Sequence, residues 1–296
     1  IKKYKENHTP DTFIKMAATK RLIYQVNTID PLVGEQSKLY EWCIASVERY
    51  CKKYNIDHHV QLYPILKIGP LDWKKSNRSE NCRKRGFLPI YEKENAFERF
   101  DKYDQIAIID SDIFIHDHAP NIFDAINPEV DFGGVIEREM PITPEYQNKI
   151  KHYSASQYQW LHEKGYGDFK PNKLGYEFFN MGMMVMNKSI EKYLLGQTAA
   201  QFLRRKKFKP FVDGTGHWKW STDQTLLNFW VRNAGMKLDR MDWKWNALFK
   251  GVTDEAQKEA YFTHFFLKDK LPAKGEDVKL LEKVIKGNTN IGYKHT

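Results

Sequence analysis

The sequence has few cysteines and no long apolar run, and both absences narrow the class of protein. Only Cys43, Cys51 and Cys82 occur among 296 residues, and their spacing matches no metal site. Cys43 and Cys51 stand eight residues apart on one predicted helix, too far apart to form a disulfide. Reduced thiols and a cytoplasmic location are therefore expected. No apolar run is long enough for a membrane-spanning helix, so none is expected.

The chain is basic and rich in aromatic residues. Its net charge is +9 and its pI about 9.1, which favours an anionic partner such as a nucleotide or a phospholipid. The densest basic run, residues 204–207, fits either a solvated helix face or a docking patch. Aromatics make up 14% of the chain and fit either a packed core or a cleft that stacks rings. We expect no nucleic-acid partner; peripheral membrane contact and the oligomeric state stay open.

Apolar and amphipathic segments alternate along the chain. Strands are predicted at residues 21–27, 59–66, 105–110, 131–136, 176–187 and 261–267. Helices are predicted at residues 36–54, 86–101, 221–234 and 276–286, and residues 137–173 look irregular. This order predicts an α/β fold with a mostly parallel central sheet flanked by helices, as in Rossmann-like proteins. We expect an N-terminal extension at residues 1–20 and one domain at residues 21–296.

The most informative segment places two carboxylates at the end of a strand. An isoleucine-rich run from Gln105 is followed by Asp110-Ser111-Asp112. A buried strand does not hold two uncompensated carboxylates in its middle, so the strand should end at Asp110. The carboxyl edge of an open α/β sheet is where ligands bind, and paired carboxylates there suit Mg²⁺ or Mn²⁺ with substrate phosphates. Aspartates that merely form a turn are the alternative.

Three further motifs follow in order, and together the four resemble the GT-A glycosyltransferases. Within that group the resemblance is to family 8, the glycogenin-like and bacterial galactosyltransferase-like enzymes, and it covers roughly residues 20–272. The four matches are Asp110-Ser111-Asp112, Phe179-Asn180-Met181-Gly182, Thr222-Asp223-Gln224, and His264 with Lys270 before Pro272. The last match departs from the family pattern, because Leu267 replaces a glycine and no tryptophan follows Pro272. Lys268 is therefore a rival to Lys270.

The resemblance implies a GT-A fold and a metal-dependent transfer of a sugar from a UDP-sugar. Asp110, Asp112 and His264 would bind the cation, and carboxylates with imidazole suit Mn²⁺ somewhat better than Mg²⁺. A buried histidine with a purely structural role is the alternative for His264. Lys268 or Lys270 would add positive charge beside the departing diphosphate.

The resemblance also assigns the donor contacts. Asn180, Asp223 and Gln224 would be the catalytic residues that hold the donor sugar, and Gly182 would let the donor approach the backbone. Family 8 enzymes retain anomeric configuration, and without a nucleophile beside Gln224 a front-face mechanism is implied. The nucleotide would contact Tyr24, Asn27, Thr28, Asp110 and Ser111.

The acceptor would be a carbohydrate or another hydroxyl compound. Aromatics in residues 137–173 and 217–220 suit stacking on a sugar, or a loop packed by its own rings. Two rival functions remain. A sugar nucleotidyltransferase would need a glycine-rich phosphate loop after the first strand, where only Gly34 occurs. A non-catalytic carbohydrate-binding module of the same fold is disfavoured by the four intact motifs.

Overall fold

The structure is a computed structural model that describes residues 19–28 and 37–287. The extension predicted at residues 1–20 lies almost wholly outside this range, so the predicted domain bounds stay a prediction. Within the described residues the strands are β1 (Arg21–Val26), β2 (Asp57–Gln61), β3 (Gln105–Ile109), β4 (Ile113–Ile115), β5 (Phe132–Ile136), β6 (Pro171–Asn172), β7 (Gly175–Tyr176), β8 (Phe179–Asn187), β9 (Leu238–Arg240), β10 (Ala247–Leu248) and β11 (Phe262–His264).

The helices of the described residues flank these strands. They are α1 (Lys38–Tyr54), α2 (Glu80–Arg85), α3 (Ile122–Ala125), α4 (Pro144–Glu163), α5 (Glu191–Leu194), α6 (Ala199–Leu203), α7 (Lys209–Asp213), α8 (Asp223–Asn233), α9 (Asp254–Glu259) and α10 (Val278–Ile285). A 3-10 helix spans Pro89–Asp101 and packs against β1 and β3.

The central sheet has six strands in the order β2-β1-β3-β8-β5-β9. Five run in one direction, and β8 is antiparallel to both of its neighbours. Every residue of β3, β5 and β8 is buried, as their near-continuous apolar composition predicts. A fully buried isoleucine or methionine contributes roughly 1.5–3 kcal/mol of transfer free energy, so these strands anchor the core. The predicted α/β class with a mostly parallel sheet is confirmed.

A second sheet continues from the end of β3. It has the order β10-β11-β4, with β11 antiparallel to β4. His264 pairs with Ile113, and the Phe265 amide donates to the carbonyl of Asp112 at 2.9 Å. This register carries His264 to the aspartates that follow β3.

The predicted strand at residues 59–66 is wrong at its C-terminal end. β2 ends at Gln61 because the next turn of backbone binds a buried carboxylate instead of the sheet. The amides of Ile65, Leu66 and Lys67 donate to Glu92 at 2.6, 3.0 and 2.7 Å. Glu92 lies on the 3-10 helix Pro89–Asp101, which replaces the helix predicted at residues 86–101.

The irregular segment predicted at residues 137–173 is also wrong, since it contains the twenty-residue helix α4. Thr143 caps its first turn and Pro144 occupies the first helical position, where a missing amide costs nothing. The buried stripe includes Ile150, Tyr158 and Leu161. Serine, glutamine and tyrosine share this stripe and obscure its helical period in the sequence.

Candidate active site

Asp110, Asp112 and His264 lie together at the carboxyl edge of β3. Each offers one ligand atom, and the three atoms lie within 4.8 Å of one another. His264 Nε2 is 3.4 Å from Asp112 Oδ1. Asp112 Oδ1 is buried without a hydrogen-bond partner among the described residues, which is costly unless a cation compensates it. The chemistry and spacing of these three residues fit a divalent cation, and we call the three together the metal group.

Gly182 makes room for the histidine. The Asp110 amide donates to the Gly182 carbonyl at 2.8 Å, which extends the pairing of β3 with β8 by one residue. A Cβ atom at Gly182 would lie 2.3 Å from Cε1 of His264, closer than real Cβ contacts come. Any larger residue would therefore push the imidazole away from the aspartates.

A chain of hydrogen bonds orients His264. Its Nδ1 lies 2.9 Å from Asn246 Oδ1, and Asn246 Nδ2 donates to Asn180 Oδ1 at 2.9 Å. Because the Asn246 oxygen must then accept from Nδ1–H, the Nε2 atom of His264 is left to face Asp112. Asn180 Nδ2 continues the chain to Glu137 Oε2 at 2.7 Å, and Tyr146 donates to Glu137 Oε1 at 2.6 Å.

Lys93 joins the two acidic parts of the site. Its ammonium lies 3.0 Å from Asp110 Oδ1 and 2.7 Å from Asp223 Oδ2, and donates to the Met181 carbonyl at 3.0 Å. The lysine and Asp223 side chains are 12% and 9% exposed. A buried ammonium needs such partners to stay charged, so Lys93 fixes the distance between the metal group and α8.

Burial and mutual charge set the protonation of this group. Burial raises the pKa of Asp110 although Lys93 opposes the effect. Burial also disfavours ionised Asp112, but the His264 imidazole holds the pKa of Asp112 below its usual value. Burial lowers the pKa of His264, and Asp112 and Asp110 outweigh it and raise that pKa above its usual value. The two carboxylates thus favour the protonated form of the His264 imidazole, and the imidazole favours the ionised form of Asp112.

The cleft beside these residues has two parts. One part is lined by Val26, Asn27, Thr28, Tyr40, Asp110, Ser111 and Asp112. The other is a cavity of about 380 Å³ lined by residues that include Asp110, Asn180, Gly182, Asp223, Gln224 and His264. Most predicted site residues therefore meet around one cleft.

Tyr24 lies outside this cleft. The residue is fully buried, its hydroxyl donates to Gln61, and its ring stacks on His59 at 5.0 Å. Asn95 donates to its hydroxyl at 2.9 Å from the 3-10 helix Pro89–Asp101. Tyr24 stands two residues deeper in β1 than Val26, which lines the cleft, so its predicted contact with the nucleotide requires a buried core side chain to move.

The two rival lysines occupy different positions. Lys268 lies over the ring of Tyr40 at 5.1 Å and 3.6 Å from Glu276. Tyr40 in turn lines the cleft beside the aspartates. Lys270 is exposed, and neither lysine lines the cleft. Of the two lysines, Lys268 is therefore the one in contact with a residue that lines the cleft.

Gln224 is fixed at the start of α8. Its Oε1 accepts from the Met181 amide at 3.0 Å, and its Nε2 donates to the Tyr153 hydroxyl at 2.9 Å. Asn228, one turn later, accepts from the Phe179 amide at 2.8 Å and ties α8 to β8. Gln224 thus has a defined position on the wall of the cavity.

Several residues of this site could not be singled out from the sequence. These are Lys93, Glu137, Tyr146, Tyr153 and Asn246. No motif marks them: Lys93 lies on a predicted helix, Glu137 and the two tyrosines lie on the segment predicted to be irregular, and no element is predicted at Asn246. The one available signal was composition, since acidic and basic residues within an otherwise apolar helix seldom lie buried unless paired.

Some aromatic rings of residues 137–173 and 217–220 pack on one another, and one stays exposed. Trp160 stacks on His217 at 5.1 Å and meets Trp218 edge-on at 5.3 Å, so these rings pack on one another. Trp220 remains 66% exposed.

Within the described residues no helix combines the length and apolarity needed to cross a membrane.

The fold of this chain is that of the GT-A glycosyltransferases. The bifunctional glycosyltransferase WbbM superposes with a TM-score of 0.51 and 13% sequence identity, over 93% of this chain and 50% of that chain. This chain therefore corresponds to about half of that protein. No protein-family model matches the sequence, and no curated protein matches it significantly.

Two other solved structures are similar at lower scores. The galactosyltransferase LgtC, bound to donor and acceptor sugar analogues, has a TM-score of 0.47 and 14% identity over 91% of this chain and 97% of its own. Mouse xyloside xylosyltransferase 1 has a TM-score of 0.45 and 14% identity over 86% of this chain and all of its own.

Proposed function

We propose that this protein is a metal-dependent, family 8-like glycosyltransferase that moves a sugar from a UDP-sugar to a hydroxyl acceptor with retention. The observation that carries the proposal is the meeting of Asp110, Asp112 and His264 at one edge of a GT-A sheet. A divalent cation bound there, Mn²⁺ by preference, would supply Lewis-acid stabilisation of the diphosphate leaving group.

The two parts of the cleft suit the two ends of such a donor. Asn27, Thr28, Ser111 and Tyr40 offer amide and hydroxyl groups and a ring to a nucleoside. Of the two rival lysines, Lys268 would be the one beside the diphosphate, because its ammonium lies over Tyr40, a residue that lines the cleft. Asp223 and Gln224 line the neighbouring cavity, which has room for a pyranose.

The surroundings of Gln224 support retention without a covalent intermediate. Asp223 is held by the Lys93 ammonium. Glu137, the carboxyl that the sequence did not single out, accepts hydrogen bonds at both oxygens from Tyr146 and Asn180. Burial raises the pKa of Glu137, and hydrogen bonds already engage both of the oxygens that would have to attack the sugar. These groups would orient the donor sugar, and the acceptor would attack from the face that the nucleotide leaves.

The rival functions explain less of this arrangement. A sugar nucleotidyltransferase would need a glycine-rich phosphate loop after the first strand, where only Gly34 occurs, and a binding module has no use for a buried cation ligand such as Asp112 Oδ1. Hydrolysis of a panel of nucleotide sugars, with and without Mn²⁺, tests all three. Release of UDP only with the metal supports the transferase.

The nucleotide preference is a first test of the donor assignment. In calorimetry with Mn²⁺, UDP should bind more tightly than GDP or CDP, because the nucleoside part of the cleft would select the base. UMP should bind at least about tenfold more weakly than UDP, about 1.4 kcal/mol, because it lacks the phosphate that would reach the metal group. Tighter binding of GDP than of UDP contradicts the assignment.

The role of Gln224 is a second test. Gln224→Ala should lower kcat at least about tenfold, about 1.4 kcal/mol of transition-state stabilisation, because Gln224 faces the sugar cavity. UDP affinity should stay near wild type, which separates a sugar contact from a structural one. Gln159→Ala on the exposed face of α4 serves as a control. NMR of the product from an α-configured donor should show an α linkage; a β linkage contradicts retention.

A further inference from the structure

The exposed apolar side chains are concentrated on one face. Across residues 19–28 and 37–287, nine large apolar side chains are exposed, and six of them lie on the segments 62–90 and 211–221. We call these six the apolar rim: Leu62, Tyr63, Ile65, Leu71, Ile90 and Trp220. Leu71 is 67% exposed and Tyr63 66%. Scattered exposed residues need no explanation, but a grouped set marks an interaction site.

Hydrogen bonds hold the two segments side by side. The Leu71 amide donates to Asp213 Oδ1 at 3.3 Å, and Ser76 Oγ donates to the Asp213 carbonyl at 2.7 Å. Arg78 donates to the carbonyl of Ser221, the neighbour of Trp220, at 2.7 Å. The other end of the rim is tied to the cleft, because Ile90 lines it.

The apolar rim has a basic border. Residues 62–90 contain seven basic residues and two acidic ones, in a chain of net charge +9. Lys67, Lys74, Lys75 and Lys84 are exposed there. The basic run at residues 204–207 joins them, since Arg204 donates to the Gly69 carbonyl at 2.8 Å.

The loop that carries Ile65 is held in place before any partner arrives. Glu92 accepts from three successive amides of this loop and from Gln61 Nε2 at 2.8 Å. A fixed loop loses little conformational entropy on binding, so its exposed side chains are available for contact at low cost.

We propose that this face binds the surface of a bilayer that contains anionic lipids. Aliphatic and aromatic side chains would enter between the lipids while the lysine ammonium groups meet the lipid phosphates. Self-association of the face would bring two basic borders together. Nucleic acid would leave the leucine and isoleucine side chains without partners. The proposal goes beyond the transferase function and does not rest on it.

Sedimentation with vesicles tests the proposal. Wild-type protein should bind vesicles of phosphatidylcholine with phosphatidylglycerol far better than vesicles of phosphatidylcholine alone. Lys74→Glu/Lys75→Glu should lower the partition coefficient for the anionic vesicles at least tenfold, because each basic charge near the surface contributes about 1 kcal/mol to binding. Ile65→Ser/Leu71→Ser should lower it by about as much.

Two controls keep the outcome decisive. Lys279→Glu/Lys283→Glu, exposed on α10, makes the same charge change away from this face and should bind as wild type does. Release of UDP from a soluble donor should be unchanged in all these variants, which shows that the cleft is intact. Trp220→Phe should remove part of the blue shift in tryptophan fluorescence on vesicle binding.

The proposal is overturned if wild-type protein fails to sediment with anionic vesicles. It is also overturned if Lys74→Glu/Lys75→Glu and Ile65→Ser/Leu71→Ser both bind as well as wild type. A dimer that Ile65→Ser/Leu71→Ser converts to a monomer, without vesicle binding, would assign the face to a second copy of the chain instead. Vesicle binding without any nucleotide-sugar hydrolysis would leave this proposal standing and reject the transferase.

Discussion

Asp112→Ala should abolish metal-dependent turnover. Asp112 faces His264, and its Oδ1 atom is buried without a hydrogen-bond partner among the described residues. Its removal takes away one of three protein ligands of the proposed cation. We expect kcat/KM to fall at least about a thousandfold, about 4 kcal/mol, when Lewis-acid stabilisation is lost. EDTA should abolish wild-type turnover and added Mn²⁺ should restore it. Full wild-type turnover in excess EDTA would contradict the proposed function.

Thermal unfolding separates loss of the metal from loss of the fold. Mn²⁺ with UDP should raise the melting temperature of the wild type and leave that of Asp112→Ala unchanged, because only a folded site with its ligands gains stability from binding. Without metal the variant should melt somewhat lower than wild type, since the His264 imidazole loses the carboxylate that it faces, but it should still unfold cooperatively. Asp117→Ala, exposed five residues later, should keep both the turnover and the metal response.

Replacing Lys93 with methionine should cause a large loss of stability. The Lys93 ammonium is the partner of Asp110 and of the buried Asp223, and its removal leaves uncompensated carboxylates. We expect the free energy of unfolding to fall by about 3–5 kcal/mol. Urea denaturation in EDTA measures this change without interference from metal. Lys102→Met, exposed at the end of the same 3-10 helix, should change stability little.

A double variant identifies the cause of that loss. Lys93→Met/Asp223→Asn removes the lysine and the charge that it compensates, so it should be more stable than Lys93→Met alone, with a coupling of at least about 1 kcal/mol. Strictly additive effects would mean that the lysine acts only through packing. They would contradict the ion pair as the link between α8 and the metal group.

The fold could be predicted from the sequence where periodicity was clear. The continuous apolar runs of β3 and β8 and the helical periods of α1 and α8 have one structural interpretation each. The extent of β2 could not be predicted, because Glu92, distant in sequence, competes for the amides of residues 65–67. Helix α4 escaped prediction because its buried face carries Ser154 and Gln157 among its apolar residues.

The site divides in the same way. Short motifs marked the aspartates, Gly182, Gln224 and His264, which the structure brings to one cleft. Residues that act through long-range pairing carry no such mark. Lys93 depends on two partners that both lie later in the chain, Asp110 and the distant Asp223, and Asn246 matters only because β11 places His264 beside it. The core position of Tyr24 could not be predicted because a strand's sequence does not say how deep each side chain lies, and its contact with the nucleotide stays a prediction.

The pairing of β11 with β4 makes the metal group a product of the whole chain. Asp112 and His264 are separated by half of the sequence, and their approach requires the C-terminal strand to dock beside Ile113. Contacts between residues so distant along the chain form late and slowly, since loop closure must precede them. During synthesis a ribosome would have to release the chain as far as His264 before these side chains meet. A cation bound there would stabilise the docked position of β11, and it would therefore stabilise only the folded chain.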